Sequence, residues 1–326
     1  MNEGRGKKRI VLVTGATGFI GRNVCADLHA AGFHVRAAVR SSASLSDDWE
    51  QIEIGEIRAD TAWDAALDNV HAIVYLASHS PQAGENPEDA KRAYKQVLVE
   101  GSERLARAAL AAGVRRLLYI STIKVNGEAT PINVPFTEDT PPRPEDVYGL
   151  SKWQAEQMLK EIGSNSPLEV VILRLPLVYG PGVRANFLSL LRLVERGFPI
   201  PLRSVHNRRS MLYVKNLADV IIRCIDAPQA SGETFLVSDN MDVSTPELLE
   251  KLAAQLGRKL HSWPIPVALL HGAGKLLGKS AMVNRITGSL IVDTRKVRQQ
   301  LEWAPPFTLD EGLRDTVQWY LTERRK

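Results

Sequence analysis

Cysteine is scarce in this sequence of 326 residues, and its two cysteines lie far apart. Neither Cys25 nor Cys224 belongs to a Cys-x-x-Cys pair. This content excludes a disulfide-stapled secreted fold and provides no zinc-binding spacing. We therefore expect a cytoplasmic protein without a metal site.

Long apolar runs are also missing. The longest apolar stretch, residues 265–273, is interrupted by Pro266, His271 and Gly272. It is too short to cross a bilayer, so we expect no stable membrane insertion. We interpret it as a helix packed over a pocket, with a weak contact to a membrane surface as the alternative.

Neither sign of charge dominates the chain, whose formal net charge is +4. This slight basic excess does not indicate a nucleic acid partner, because anionic phosphorylated small molecules explain it equally well. Hydrophobic residues make up 44% and charged residues 24% of the chain. The composition is therefore that of an ordinary globular protein.

A glycine-rich octapeptide, residues 14–21 (TGATGFIG), lies between an apolar run and a helical pattern. This context predicts a phosphate-binding loop that joins a buried strand to a helix. Gly15 would permit the tight turn, Gly18 would let a pyrophosphate approach the backbone, and Gly21 would let the helix pack closely. The N–H groups at the start of the helix would then bind the phosphates of a dinucleotide.

Apolar strands alternate with helical patterns through the first half of the chain. We predict strands at residues 10–13, 34–39, 52–55, 72–77, 116–121 and 170–174, with long helices at residues 87–112 and 145–162. This order indicates an α/β fold with a doubly wound parallel sheet. We predict a dinucleotide-binding Rossmann domain at residues 1–175 and a smaller α/β substrate lobe at 176–326, of which residues 205–232 return to the Rossmann sheet.

Tyr148 and Lys152 are four residues apart at the start of a predicted helix, so both side chains project from one face. A lysine ammonium close to a tyrosine favours the phenolate. A hydroxyl at the end of the fifth strand, from Thr122 or Ser121, could hold the reacting oxygen. Together these groups suit proton exchange with an alcohol or carbonyl, the partner reaction to hydride transfer.

These motifs together resemble the extended short-chain dehydrogenase/reductases, the family of nucleotide-sugar epimerases, dehydratases and reductases. The resemblance covers nearly the whole chain. It is carried by the glycine loop, residues 76–78 (LAS), 121–122 (ST), 148–152 (YGLSK), 174–182 and 293–305.

The resemblance implies a role for each matching residue. Tyr148 would be the catalytic acid/base, Lys152 would hold the nicotinamide ribose, and Thr122 would be the catalytic hydroxyl, with Ser121 as second choice. The implied cofactor site comprises Gly15, Thr17, Gly18, Phe19, Ile20 and Gly21 of the loop, Glu56 and Ile57 near the adenine, Leu76, Ala77 and Ser78 after the fourth strand, and Tyr148 and Lys152.

The resemblance also implies a nucleotide-sugar substrate and a homodimer formed through the two long helices. Asn186 and Arg209 would bind the substrate phosphates, and an arginine suits this because its planar fork takes two oxygens. Lys124 would bind a substrate oxygen or stabilise negative charge. The alternative interpretation is that Lys124 lies on a loop, faces solvent and has no role in the site.

Some positions depart from the family pattern. NAD-bound members have an acidic residue at the end of the second strand, where this chain has Val39 followed by Arg40. Arg40, together with Arg22, would attract a 2′-phosphate. We therefore expect NADP(H), with NAD(H) as the alternative. Leu98 and Leu177 replace two family asparagines.

Residues 121–128 and 176–182 look most like the surface-polysaccharide branch of the family. We first expect a 4-ketoreductase that moves a hydride from the nicotinamide cofactor to C4 of a UDP-4-keto-6-deoxy-N-acetylhexosamine. The alternative is a UDP-sugar 4-epimerase that retains NAD. A third hypothesis is a non-catalytic binding subunit, for which an intact set of Thr122, Tyr148 and Lys152 would be unnecessary.

Overall fold

Nine strands and twelve α-helices make up the computed structural model, which describes residues 8–79 and 84–324. The strands are β1 (Ile10–Thr14), β2 (His34–Val39), β3 (Glu50–Glu53), β4 (Val70–Tyr75), β5 (Arg116–Thr122), β6 (Glu169–Leu175), β7 (Leu177–Tyr179), β8 (Met211–Tyr213) and β9 (Thr234–Leu236). The α-helices are α1 (Phe19–Ala30), α2 (Asp64–Leu67), α3 (Pro87–Tyr94), α4 (Gly101–Ala111), α5 (Val147–Ser164), α6 (Ala185–Glu195), α7 (Val214–Asp226), α8 (Thr245–Gln255), α9 (Val267–Leu276), α10 (Ser280–Thr287), α11 (Arg295–Gln300) and α12 (Leu309–Glu323).

Seven of the strands form a parallel sheet in the order β3-β2-β1-β4-β5-β6-β9. The predicted doubly wound sheet is confirmed. The chain moves outward from β1 to β3 and then returns to β4, so the strand order reverses between β1 and β4. Ligands of such sheets bind at this switch point, beyond the carboxyl ends of the strands.

Helices cover both faces of the sheet. Val24 and Leu28 of α1 pack with Leu217 of α7 on one face. Leu105 of α4 and Leu159 of α5 are buried on the other face. Burial of each such side chain stabilises the fold by about 1.5–3 kcal/mol, and it fixes α1 and α5 against the strands that they follow.

The C-terminal lobe has its own apolar core, built from α6, α8 and α12 around the two-stranded pair β7 and β8. After β8 the chain re-enters the sheet region as α7 and β9. The last strand of the sheet therefore lies just beyond residue 232, where we had predicted the returning segment to end. The division of the chain at residue 175 stays a prediction.

The helix predicted at residues 87–112 is not one regular α-helix. A π-helical segment, Lys95–Glu100, separates α3 from α4. A π turn leaves backbone carbonyls displaced from their usual partners. Here the Tyr75 hydroxyl donates to the Val97 carbonyl at 2.5 Å, and the Ser102 hydroxyl donates to the Leu98 carbonyl at the same distance. Side chains from the sheet and from α4 thus stabilise a break that periodicity alone does not reveal.

Strand β3 begins two residues earlier than predicted. Its first residue, Glu50, lies 2.9 Å from the Arg36 guanidinium and 2.8 Å from the His34 ring on the neighbouring strand. A charged residue at the edge of a sheet does not show apolar alternation, which explains the error. In the part of the chain that the structure describes, no helix is long and apolar enough to span a bilayer.

Candidate active site

The glycine loop joins β1 to α1 at the switch point of the sheet. Gly15 has φ +70°, and a Cβ atom at Gly21 would lie only 2.1 Å from the Gly15 carbonyl oxygen. Gly18 is the N-cap of α1, without a side-chain cap and without an acidic residue in the first turn. Uncapped N–H groups and the positive end of the helix dipole therefore face any anion placed over the loop.

The end of β4 lies against this loop. The Thr14 hydroxyl accepts hydrogen bonds from the backbone N–H groups of Leu76 and Ala77, each at 3.2 Å. A Cβ atom at Gly15 would come within 3.0 Å of the same two residues. The structure thus brings together the loop and residues 76–78, which were predicted to share the cofactor.

The predicted adenine end combines charged and buried groups. Glu56 is exposed and accepts from the Arg58 guanidinium at 3.2 Å, which lowers the pKa of Glu56. Ile57 is buried. Arg40 is exposed and has no hydrogen-bond or ion-pair partner within residues 8–79 and 84–324, whereas Arg22 donates to two backbone carbonyls, those of Thr17 and Ser44. Of the two arginines, Arg40 is the one left open to a ligand.

Helix α5 carries Tyr148 and Lys152 on one face. The Asp146 carboxylate caps this helix by accepting from the Gly149 N–H at 2.7 Å. Lys152 is buried, and its ammonium donates to the Ile120 carbonyl at 2.6 Å. Burial lowers the pKa of Lys152 to about 7, so the side chain changes charge near neutral pH.

The Tyr148 hydroxyl has no hydrogen-bond partner among the described residues. Burial raises the pKa of Tyr148. The neighbouring Tyr94 and Asp146 raise this pKa further. The Tyr94 ring lies 5.4 Å from the Tyr148 ring. The lowering of the tyrosine pKa that we expected from Lys152 is therefore not seen, and the phenol is the favoured form.

Ser121 belongs to a buried polar network. Its hydroxyl donates to Glu156 at 2.5 Å, and the Arg174 guanidinium donates to the same carboxylate at 2.6 Å. Asn126 accepts a further bond from Arg174 at 3.0 Å. Because this network uses the Ser121 proton, Ser121 has no free donor for a substrate.

Thr122 lies at the end of β5, where its hydroxyl oxygen accepts from the Lys124 N–H at 3.3 Å. A hydroxyl that accepts one bond still has its proton to donate. The turn after Thr122 packs on the first turn of α5, since a Cβ atom at Gly149 would lie 3.0 Å from the Lys124 carbonyl oxygen. The fold thus brings the Thr122 turn next to the helix turn that carries Tyr148.

Lys124 bridges two carboxylates. Its ammonium lies 2.6 Å from Asp146 and 2.7 Å from Glu128. Since Asp146 caps α5, this bridge connects the turn after β5 with the start of the helix. The Lys124 ammonium thus already has two carboxylate partners. To make the predicted contact, it would have to bind the substrate as a third partner.

The lobe presents two arginines side by side. Arg209 donates to the Arg285 and Gly288 carbonyls at 2.9 and 3.1 Å. Burial lowers the pKa of Arg209, and the Arg285 charge lowers it further. Asn186 is exposed in the first turn of α6. Two like charges held together attract an anion, so the arginine pair is suited to a diphosphate.

Sequence reasoning missed Arg285, Glu156 and Tyr94. Glu156 follows Tyr148 and Lys152 at the same spacing of four, so helical periodicity could have placed it on the same face. Arg285 and Tyr94 reach the site through the folding of the lobe and of α3. No local pattern marks either of them.

The chain matches the family model "NAD dependent epimerase/dehydratase family" over residues 11–238. It is 42% identical over 313 residues to a UDP-glucose 4-epimerase of Vibrio cholerae, with 95% of each chain covered. It is 27% identical to the N-acetyl-alpha-D-glucosaminyl-diphospho-ditrans,octacis-undecaprenol 4-epimerase of Escherichia coli O157:H7, over 97% of this chain and 96% of that one.

A solved structure, MoeE5 in complex with UDP-glucuronic acid and NAD, superposes with a TM-score of 0.74 at 25% identity. The match covers 97% of this chain and 99% of that chain. Similarity thus extends through the sheet and the lobe alike.

Proposed function

Because this chain belongs to the NAD dependent epimerase/dehydratase family, we propose that it is a UDP-sugar 4-epimerase that retains NAD. The observation that supports this most is the 42% identity to a UDP-glucose 4-epimerase along 95% of both chains. It favours the epimerase over the 4-ketoreductase that we had placed first. An enzyme also accounts for Tyr148, Lys152 and Thr122, which a non-catalytic subunit would not need.

The glycine loop fits a dinucleotide. Gly15 and Gly21 pack too closely for a side chain at Gly21, and no side chain caps the N–H groups at the start of α1. The loop and the first N–H groups of α1 would hold the pyrophosphate of NAD, whose nicotinamide would supply hydride transfer to and from C4 of the sugar. Our expectation of NADP(H) depended on Arg40, whereas MoeE5 holds NAD, and we infer that NAD is the cofactor here too.

The phenolate form of Tyr148 would take the proton of the 4-hydroxyl during oxidation, and the resulting phenol would return it during reduction. Thr122 would donate to the same oxygen and hold it in place. Lys152, buried beside the strand end, would donate to the cofactor ribose. Inversion requires the 4-keto sugar to turn over in the site, so that the hydride returns to its opposite face.

Arg209 and Arg285 would bind the diphosphate of the substrate, and Asn186 at the start of α6 would donate to the same group. The two guanidinium groups supply charge-assisted hydrogen bonds, which are about twice as strong as neutral ones. The anchored diphosphate would leave the sugar free to rotate about its bonds to the phosphate. This freedom is what an epimerase needs and a reductase does not.

The first test is to denature the purified protein and identify any released dinucleotide, and then to follow UDP-glucose by NMR without added cofactor. We expect released NAD and conversion of UDP-glucose to its 4-epimer. An exchangeable site that prefers NADPH, together with turnover of a 4-keto sugar nucleotide, would replace this proposal by the reductase.

A homodimer through the helices of residues 87–112 and 145–162 and a cytoplasmic location also remain proposals. Leu98, a residue of the π-helical segment, does not belong to the dimer face, since it is fully buried within the subunit. Met158 of α5 is partly buried against the sheet. Sedimentation equilibrium tests the dimer, and a monomer at micromolar concentration would exclude it.

A further inference from the structure

The hairpin formed by α9 and α10 contacts the core of the lobe through a few apolar side chains. Val267, Leu270 and Ile286 contact the lobe core. Within α9 the buried residue is Gly274, where a Cβ atom would lie 2.6 Å from the Val283 side chain. The two helices therefore pack tightly on each other, and most of their remaining surface faces outward.

This outward surface is apolar. Leu276 is 89% exposed, Leu277 is 70% exposed and Leu269 is 63% exposed. Trp263, in the segment that precedes α9, is also 63% exposed. Met282 of α10 is also exposed. Single exposed leucines are common, but several large apolar side chains exposed on and beside one hairpin indicate a binding surface.

The same stretch has charge of one sign. Residues 258–292 contain no aspartate and no glutamate, although the chain has 37 acidic residues in total. The basic residues of this stretch are Arg258, Lys259, Lys275, Lys279 and Arg285. Lys275 and Lys279 flank the two most exposed leucines. The surface is thus both apolar and positive.

We infer that the hairpin binds the surface of an anionic phospholipid bilayer. The leucines would enter the boundary between head groups and acyl chains, and Trp263 would lie at the interface. Lysines close to an anionic surface add electrostatic attraction to the apolar contact. Neither helix can cross the bilayer, so the contact is peripheral.

A second copy of the chain fits this surface less well. Two hairpins that met face to face would bring only positive charges together, which opposes association. An anionic bilayer supplies both an apolar layer and the opposite charge.

The hairpin also borders the proposed substrate site. The last turn of α10 supplies the Arg285 carbonyl, which accepts from Arg209, and Gly288 just beyond the helix accepts from the same guanidinium. Bilayer binding would therefore place the phosphate end of the site close to the lipid head groups.

Vesicle flotation tests this inference with the whole protein. Vesicles of phosphatidylcholine and phosphatidylglycerol in equal parts are compared with vesicles of phosphatidylcholine alone. We expect the protein to float with the anionic vesicles at low salt, and to float less at high salt. Leu276→Glu/Leu277→Glu and Lys275→Glu/Lys279→Glu should each weaken binding at least about tenfold.

Arg298→Glu/Arg314→Glu is the matched control, because it changes the net charge equally on the exposed surfaces of α11 and α12. It should retain binding within about threefold. Absence of flotation by the unmodified protein would overturn the inference, and so would an equal loss in the control. Loss of a dimer in the leucine variant with unchanged flotation would assign the hairpin to self-association instead. If the leucine variant does not fold, flotation of the lysine variant tests the inference.

Discussion

Helix α5 and the hairpin of α9 and α10 both border the proposed active site, yet they place polar and apolar side chains in opposite ways. Helix α5 buries Lys152 and Glu156 and satisfies both with hydrogen bonds. The hairpin, which lies wholly within the described residues, exposes Leu276 and Leu277, and Gly274 is its one buried residue.

The two arrangements have different costs. A buried charge costs several kcal/mol unless its partners are fixed in place, so the groups around Lys152 and Glu156 hold α5 in one position. An exposed leucine costs little in the folded protein and contributes only when another surface covers it. The first arrangement suits chemistry at a fixed distance, and the second suits a contact that forms and dissolves.

The largest effect is expected from Tyr148→Phe, which removes the proton carrier and leaves the ring in place. Turnover should fall by about 10²–10⁴-fold, with dinucleotide binding unchanged in a fluorescence titration. Tyr320→Phe is the control, because it removes a hydroxyl that bonds Glu195 at 2.6 Å in the lobe. A variant at Tyr148 with normal turnover would contradict the proposed role.

Glu156→Gln should destabilise the protein by about 3–5 kcal/mol, since it leaves the Arg174 charge buried without its partner. Urea unfolding measures this loss. Glu103→Gln is the matched control, because Glu103 pairs with Arg107 on the exposed face of α4, and it should cost less than about 1 kcal/mol. Equal losses would mean that burial does not distinguish the two pairs.

Lys152 should make stability depend on pH. Its pKa in the folded protein is about 7, below the ordinary value of 10.5, so the unfolded chain binds the extra proton between these values. The free energy of unfolding should therefore rise by about 1–2 kcal/mol from about pH 7 to about pH 8.5.

The free energy of unfolding should not be compared above about pH 8.5, because burial raises the pKa values of Cys25 and Cys224 in the folded protein. Their ionisation in the unfolded chain then lowers stability. Lys152→Met should remove the rise measured by urea unfolding at several pH values. A rise that persists in this variant would assign the effect to another group.

The smallest effect on stability is expected in the hairpin. Leu276→Glu/Leu277→Glu should change the free energy of unfolding by less than about 0.5 kcal/mol, as surface substitutions generally do. Turnover of UDP-glucose in solution should not change. A large loss of stability would show that Leu276 and Leu277 contribute to the folded core, and it would remove the contrast with α5.

Structural features that depend on local interactions could be predicted from the sequence. The glycine loop, the strands of the sheet and the spacing of Tyr148 and Lys152 follow from periodicity and short motifs, and the predicted fold is confirmed. The expectation of a lower pKa for Tyr148 was wrong, because the effect of Lys152 on that pKa depends on the direction of the Lys152 ammonium. That direction is set by the Ile120 carbonyl, which belongs to another element.

Features built from distant segments could not be predicted. The π-helical segment depends on the Tyr75 hydroxyl of β4, and Arg285 reaches Arg209 only through the folding of the lobe. Lys124 seemed suited to a substrate because nothing in the sequence shows that Asp146 and Glu128 meet it from both sides.

The π-helical segment also sets the rotational phase of the helix that precedes it. Each residue turns an α-helix by about 100°, and a π turn holds one residue more than a regular turn. Deleting one residue between Lys95 and Glu100 would make α3 and α4 continuous and rotate Tyr94 by roughly this angle. The ring would then leave its place 5.4 Å from Tyr148. One additional residue therefore keeps the Tyr94 ring beside Tyr148, the proposed acid/base.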